Sequence, residues 1–322
     1  MISDRLEASA FYKEFLGEVS AGRVGNAYLI VSEDELAGRI MLELMSKVLL
    51  TDVFRDKESL KLFKEGTHPD LHIYNRGKKI TVQDAENIIT EAQKSGWASE
   101  RRLFIVDNAE SAGADVQNKL LKIMEEPPAG AIIIFRAKHE SALLETVRSR
   151  MKIMRLPLAD DGDIEEELTE SGVPKGVALV ASRLAGGNYA LATAYSEEEG
   201  LEEDYSAVFS LLANCKKTRD MAPYVYGGMF TTERLPRILD FIELILRDVL
   251  AEITASNVRR YTYNRDAELE QIGDGFTPGG LAMAILAVNE ARRMAEVNIS
   301  PETIGEKLLF DILEAKYKWR KS

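Results

Sequence analysis

The sequence is short of the residues that carry metal and redox chemistry. It has one cysteine, Cys215, and three histidines, His68, His72 and His139, in 322 residues. One thiol makes no internal disulfide and supplies no cysteine-rich zinc site. Cys215 lies in the helix-like stretch Ser210–Lys217 and is expected to be a small core residue. His68 and His72 share an i, i+4 spacing, but Pro69 breaks any helix between them, which argues against a two-histidine metal face. No run of about 18 apolar residues occurs, so no membrane-spanning helix is expected. The opening Met1–Phe15 is polar and amphipathic and lacks the apolar core of a secretory signal, which leads to the expectation of a cytoplasmic protein. Positive charge is also short: 41 Lys and Arg stand against 53 Asp and Glu, a net −12. A chain that gripped DNA by itself would carry the opposite balance, because affinity comes from neutralising phosphates. Contact with DNA inside an assembly remains compatible with this charge.

What is present describes a globular protein. Hydrophobic residues make up 45% and charged residues 29%, enough for a sizeable core, and the length suits about two or three domains. Up to Pro157 the chain alternates strand and helix signals. Ala27–Val31, Leu71–Tyr74, Arg102–Val106, Ile132–Phe135 and Lys152–Leu156 are short apolar runs that read as strands. Between them lie a helix with Leu36, Ile40, Leu44 and Val48 on one face, a helix Val82–Lys94 opened by a Thr81/Asp84 capping box, and a helix Val116–Met124 stopped by Pro127-Pro128. Strands separated by helices imply parallel pairing and an α/β layered domain over 1–157. Residues 158–200 read as short helices broken at Gly172, Gly186 and Gly187. From Leu201 to the end the pattern is helical, with Leu235–Ile253, Leu281–Val297 and Pro301–Trp319 the clearest segments and Ser300-Pro301 a cap for the last. The expected division is therefore 1–157, 158–200 and 201–322.

An α/β domain of this order invites a phosphate loop after the first strand. There the pattern G-x-x-x-x-G-K-[ST] would hold phosphates with its backbone N–H groups and lysine. The chain has Ser32-Glu33-Asp34-Glu35-Leu36-Ala37-Gly38-Arg39 instead. Three consecutive carboxylates fall in the anion cradle, no lysine follows a glycine pair, and like-charge repulsion excludes a triphosphate. Arg39 is the one candidate substitute for the lysine. Leu103–Asp107 has the form of a magnesium-holding strand end, but Asn108 stands where an active ATPase places its general-base glutamate. Without a phosphate loop, Asp107 reads as an acid at a strand end or helix N-cap.

Four elements, in order from Gly22 to Met151, resemble the bacterial clamp-loader subunits of DNA polymerase III, members of the AAA+ superfamily. Gly22-Arg23-Val24-Gly25-Asn26-Ala27-Tyr28-Leu29 is similar to the family's G-R-x-x-H-A-Y-L, and His68-Pro69-Asp70 to its H-P-D. Asp107-Asn108-Ala109-Glu110 followed by Asn118-Lys119-Leu120-Leu121-Lys122-Ile123-Met124-Glu125-Glu126-Pro127-Pro128 resembles D-x-A-x … N-x-L-L-K-x-x-E-E-P-P. Thr146-Val147-Arg148-Ser149-Arg150-Met151 resembles T-I-x-S-R-C. The resemblance implies an AAA+ module, a parallel five-stranded sheet flanked by helices, then a small helical lid and an all-α collar that oligomerises. Within the family the choice lies between the ATP-hydrolysing gamma/tau type and the non-hydrolysing delta-prime type. The missing phosphate loop points to the latter; an active ATPase with a degenerate loop is the alternative. Departures from the pattern include the absent zinc cysteines in Thr51–Thr67, Met151 in place of the S-R-C cysteine, Asn26 in place of a histidine, and Tyr189 where the lid's sensor arginine would stand. Neither zinc nor any bound cofactor is expected.

The resemblance further implies that Arg150 reaches into a neighbouring subunit's ATP site as an arginine finger; the residue types alone allow a surface arginine paired with a nearby acid. Glu125, Glu126, Pro127 and Pro128, with Ser149, are expected at the subunit junction, the acids being candidates to pair with basic groups on a neighbour. Asn118 and Lys119 are candidate DNA contacts. Expected partners are the gamma/tau and delta subunits in a heteropentamer, the sliding clamp, and primer-template DNA within the complex.

Overall fold

Five of the apolar runs form one parallel sheet in the computed structural model, which describes residues 2–51, 57–74, 79–256, 262, 265–297 and 299–318. The strands are β1 (Ala27–Val31), β2 (Leu71–Tyr74), β3 (Arg102–Asp107), β4 (Ala131–Ala137) and β5 (Lys152–Arg155), in the order β2-β3-β4-β1-β5. Leu29 lies opposite Phe135 on one side and Ile153 on the other. β3 and β4 are buried along their whole length, as continuous apolar strands must be when helices cover both faces.

The covering helices are α1 (Ile2–Ala8), α2 (Ala10–Ser20), α3 (Glu35–Leu50), α4 (Lys57–Lys64), α5 (Val82–Ala92), α6 (Ala114–Glu125) and α7 (Glu145–Arg148). Side chains alternate across each strand, so the sheet feeds two cores. Leu29, Phe104, Val106, Ile133 and Phe135 pack with Ile88, Leu120 and Val147 on one face. Tyr28, Ile30, Leu103, Ile105 and Ile134 pack with Phe15, Met41 and Met45 on the other. The expected face of α3 is corrected: Leu44 is buried, but Met41, Met45 and Leu49 are the deepest, while Ile40 and Val48 are only partly buried. Neighbouring helices as well as the sheet cover α3, so the simple four-residue spacing misjudged the centre of its buried arc. α5 begins at the expected capping box, with Thr81 accepting from the Asp84 N–H and Asp84 from the Thr81 N–H, and ends at Ala92 rather than Lys94.

Two motif residues hold this unit together. His68 is buried, with Nε2 2.7 Å from the Ser59 hydroxyl, which donates to Leu50 O. Asp70 is 3% exposed and accepts three successive backbone N–H groups, from Trp97 (2.8 Å), Ala98 (2.7 Å) and Ser99 (2.8 Å). The loop it ties presents the Trp97 side chain at 89% exposure. After Pro127-Pro128 the chain turns at Gly130, whose φ of +74° and contact with Glu100 O leave no room for a Cβ.

The second compact unit comprises Asp161–Gly187 and Ala192–Ser322, the first Met1–Asp160 with Asn188–Leu191. The remaining helices are α8 (Asp161–Glu170), α9 (Lys175–Ala185), α10 (Tyr189–Ser196), α11 (Leu201–Asn214), α12 (Ala222–Val225), α13 (Leu235–Ile253), α14 (Asp266–Gly273), α15 (Pro278–Glu296) and α16 (Pro301–Lys318). α13 spans the residues expected of it, and Ser300 accepts from the Thr303 N–H at the start of α16. Trp319, expected to end that helix, lies outside the described residues. Phe241, Ile245, Leu281, Val288, Ile304 and Leu308 are buried, whereas Phe310 of α16 is 51% exposed. Cys215 caps α11, is buried, and its thiol is pushed up to about 11, first by burial and then by Asp220. An unreactive core cysteine fits both. Among the described residues no helix is long and apolar enough to cross a membrane.

Candidate functional site

The turn after β1 is closed by an acid of its own. Ser32 N–H donates to Ala137 O and its hydroxyl to Asp34 O, carrying the chain into α3. Asp34 is 3% exposed. Its Oδ1 accepts from Leu36 N (2.9 Å), Ala37 N (3.2 Å) and Ala190 N (3.4 Å), and its Oδ2 from Tyr189 N (2.6 Å). One carboxylate therefore satisfies orphan donors at the N-termini of both α3 and α10, the positive helix poles that favour an anion. Asn188 adds a bond from its side-chain amide to Glu33 O at 3.2 Å. The expectation of three acids in the cradle is corrected to one: Glu33 is exposed and Glu35 turns to Arg39 at 2.8 Å. Tyr189, which replaces the expected sensor arginine, is buried at 5% and contributes its backbone N–H.

At the ends of β3 and β4 the parallel register sets Asp107 beside Arg136. Both are buried, at 5% and 2%, and they form an ion pair. Arg39 joins from α3, its Nε 3.3 Å from the same carboxylate. Arg39 thus pairs with Glu35 and Asp107 and does not stand as a phosphate-facing lysine substitute. Gly38 makes room for the arrangement, since a Cβ there would come 2.9 Å from Arg136 Cδ. Asp107 is a strand-end acid, held by arginines rather than capping a helix. Sequence reading missed Arg136, although an arginine closing the run Ile132–Phe135 was a signal, because a buried charge requires a partner.

A nucleoside triphosphate does not fit these residues. Its anion position at the α3 N-terminus holds the Asp34 carboxylate, and the acid that would face a metal ion carries two guanidinium groups. Among the described residues, no group of three or more His, Cys, Asp or Glu is arranged to hold a metal ion.

The second set of expected residues meets at the ends of α6 and α7. α6 stops at Glu125; Glu126 donates its N–H to Lys122 O, and Pro127 prevents a further turn. The amide of Asn26, where the family has a histidine, donates to Met124 O at 3.1 Å and ties β1 to this corner. After α7, Arg150 N–H donates to Val147 O, and Met151, in the cysteine's position, is buried in the core. Arg150 itself is exposed. Its Nη1 donates to Thr146 O (2.7 Å) and Ser149 Oγ (3.4 Å), and its Nη2 pairs with Glu125 at 2.6 Å. The acid expected to meet a neighbour's base is thus engaged within the chain. Arg148 is only half-exposed and faces Glu140 electrostatically. Of the candidate DNA contacts, Asn118 is exposed on α6, while Lys119 pairs with Glu86 of α5.

The family model described as DNA polymerase III, delta subunit, matches residues 8–160. That match lies on the first unit, the five-stranded parallel sheet between helices. Along most of its length the chain resembles bacterial DNA polymerase III subunit delta'. It is 26% identical to that of Bacillus subtilis over 261 residues, 79% of each chain. It is 23% identical to that of Haemophilus influenzae over 291 residues, 87% of this chain and 88% of the relative. A solved gamma-subunit-related protein of Thermotoga maritima aligns over 91% of this chain and 95% of its own, at 17% identity and a TM-score of 0.40.

Proposed function

We propose that this chain is a clamp-loader subunit of the delta' type that binds no nucleotide and places Arg150 in the ATP site of a neighbouring gamma/tau subunit. One observation carries the reading. The chain's own Asp34, Arg136 and Arg39 fill the place of nucleotide and metal, while Arg150 lies exposed beyond α7. In the assembly, a heteropentamer with gamma/tau and delta that loads the sliding clamp onto primer-template DNA, the guanidinium stabilises charge developing on the transferring phosphoryl group. Groups in this role are worth roughly 10³–10⁵ in rate. The isolated chain catalyses nothing and works in the cytoplasm, where chromosomes are copied. Its regions 1–157, 158–200 and 201–322 serve as module, lid and collar. Asn118 remains the better placed of the two proposed DNA contacts, because Lys119 must first leave Glu86. Glu125, Glu126, Pro127, Pro128 and Ser149 border the subunit junction.

The test is ATP hydrolysis by reconstituted gamma/tau, delta and this chain, stimulated by clamp and DNA. Arg150→Ala is expected to lower the stimulated rate by at least tenfold with assembly intact on size exclusion. An unchanged rate would make Arg150 structural. Titration calorimetry of the isolated chain with Mg-ATP is expected to show no binding; a saturable signal would favour the degenerate-loop ATPase instead.

A further inference from the structure

We infer that Glu125 parks Arg150, so that the Glu-Glu-Pro-Pro corner restrains the finger until a neighbouring site takes it over. The inference rests on the reading of Arg150 as that finger. The backbone around Arg150 is fixed: Ser149 N–H donates to Glu145 O, Arg150 N–H to Val147 O, and the next side chain, Met151, is anchored in the core. The remaining freedom is in the side chain. In the structure both its terminal nitrogens are spent on this chain, Nη1 on Thr146 O and Nη2 on Glu125. These acceptors lie at two negative poles. Glu125 is the last residue of α6, and Thr146 O is among the carbonyls that the short α7 leaves open at its C-terminus. A cation between two helix C-termini is well placed electrostatically, and Glu125, which would otherwise repel the α6 pole, gains most from it.

The guanidinium fork that would grip a phosphate is therefore turned inward. The restraint is weak by design of its surroundings, since the side chains are 37% and 48% exposed. A pair of that exposure shifts an equilibrium by a factor of about two to five, or roughly 0.4–1 kcal/mol. A ring drawn together by clamp and DNA overcomes such a bias easily. Without clamp and DNA, the bias lowers the share of ATP-bound complexes whose finger is deployed, and unstimulated hydrolysis falls by the same factor. Pro127-Pro128 end α6 at this point, which keeps Glu125 in register with Arg150.

The test uses the reconstituted complex, with ATPase rates read with and without clamp and DNA. Glu125→Gln removes the charge and Glu125→Lys reverses it. Unstimulated turnover is expected to rise about two- to fivefold for Gln and further for Lys, with the stimulation ratio falling correspondingly. A structural defect would lower both rates, and size exclusion with thermal melting identifies misfolding. Glu125→Gln combined with Arg150→Ala should lose the gain. An unchanged or lowered unstimulated rate for both Glu125 variants would overturn the latch, as would a gain that survives Arg150→Ala. If Arg150→Ala alone leaves stimulated turnover intact, the finger reading itself fails, a result distinct from failure of the latch.

Discussion

Arg136 sits where a cation is costly, 2% exposed at the end of a strand that is otherwise apolar. Its only compensation among the bonds described above is Asp107, with Arg39 adding a contact from a side chain 53% exposed. Removing one member of a buried pair leaves the other unpaired, whereas replacing both with apolar groups can be close to neutral. Arg136→Met is therefore expected to lower stability by about 3–5 kcal/mol in urea unfolding. The double variant Asp107→Leu/Arg136→Met should recover most of that loss. An equal loss in the double variant would mean that Gly38 and Ser32 pack against the arginine stem closely enough to matter more than charge. Asp34 differs in kind, because it spends its charge on backbone donors from two helices, and no substitution keeps all four bonds.

Helices and strands were legible in the sequence to the extent that local chemistry decides them. Thr81 and Asp84 define the start of α5, and Thr81→Ala is expected to cost about 1 kcal/mol in thermal or urea unfolding, the usual worth of a cap. All five strands lie within or around the apolar runs expected; the central β1, β3 and β4 are buried nearly throughout, so few polar positions obscure them. The side facing inward on α3 was not legible, since it depends on which helices pack beside it. The filled anion position was half legible: the acids were visible, but which one turned inward was decided by a backbone 155 residues away, at Tyr189. Arg150 could be singled out only through its family pattern; a nearby acid as its partner was one reading, but which acid was not legible, because contacts between helix ends leave no periodic trace.

Charge is a property of the molecule as a whole, and here the net −12 is set against the proposed role beside DNA. Several arginines are committed to acids of the chain itself: Arg136 and Arg39 to Asp107, Arg150 to Glu125, and, among the C-terminal helices, Arg234 and Arg237 to the buried Asp204. The isolated chain is accordingly expected to leave primer-template DNA unshifted in a gel at about 0.15 M salt, with any weak binding lost steeply as salt rises. Tight, salt-tolerant retention would show that a basic face forms without partners. The loop that Asp70 fastens by three backbone bonds has a further, optical consequence. Its indole is 89% exposed on a backbone that cannot wander, and Trp319 is the one other tryptophan in the chain. In a Trp319→Phe background, the emission colour and quenching of Trp97 become a built-in gauge of whatever covers that loop, read without a label as the proposed partners are added.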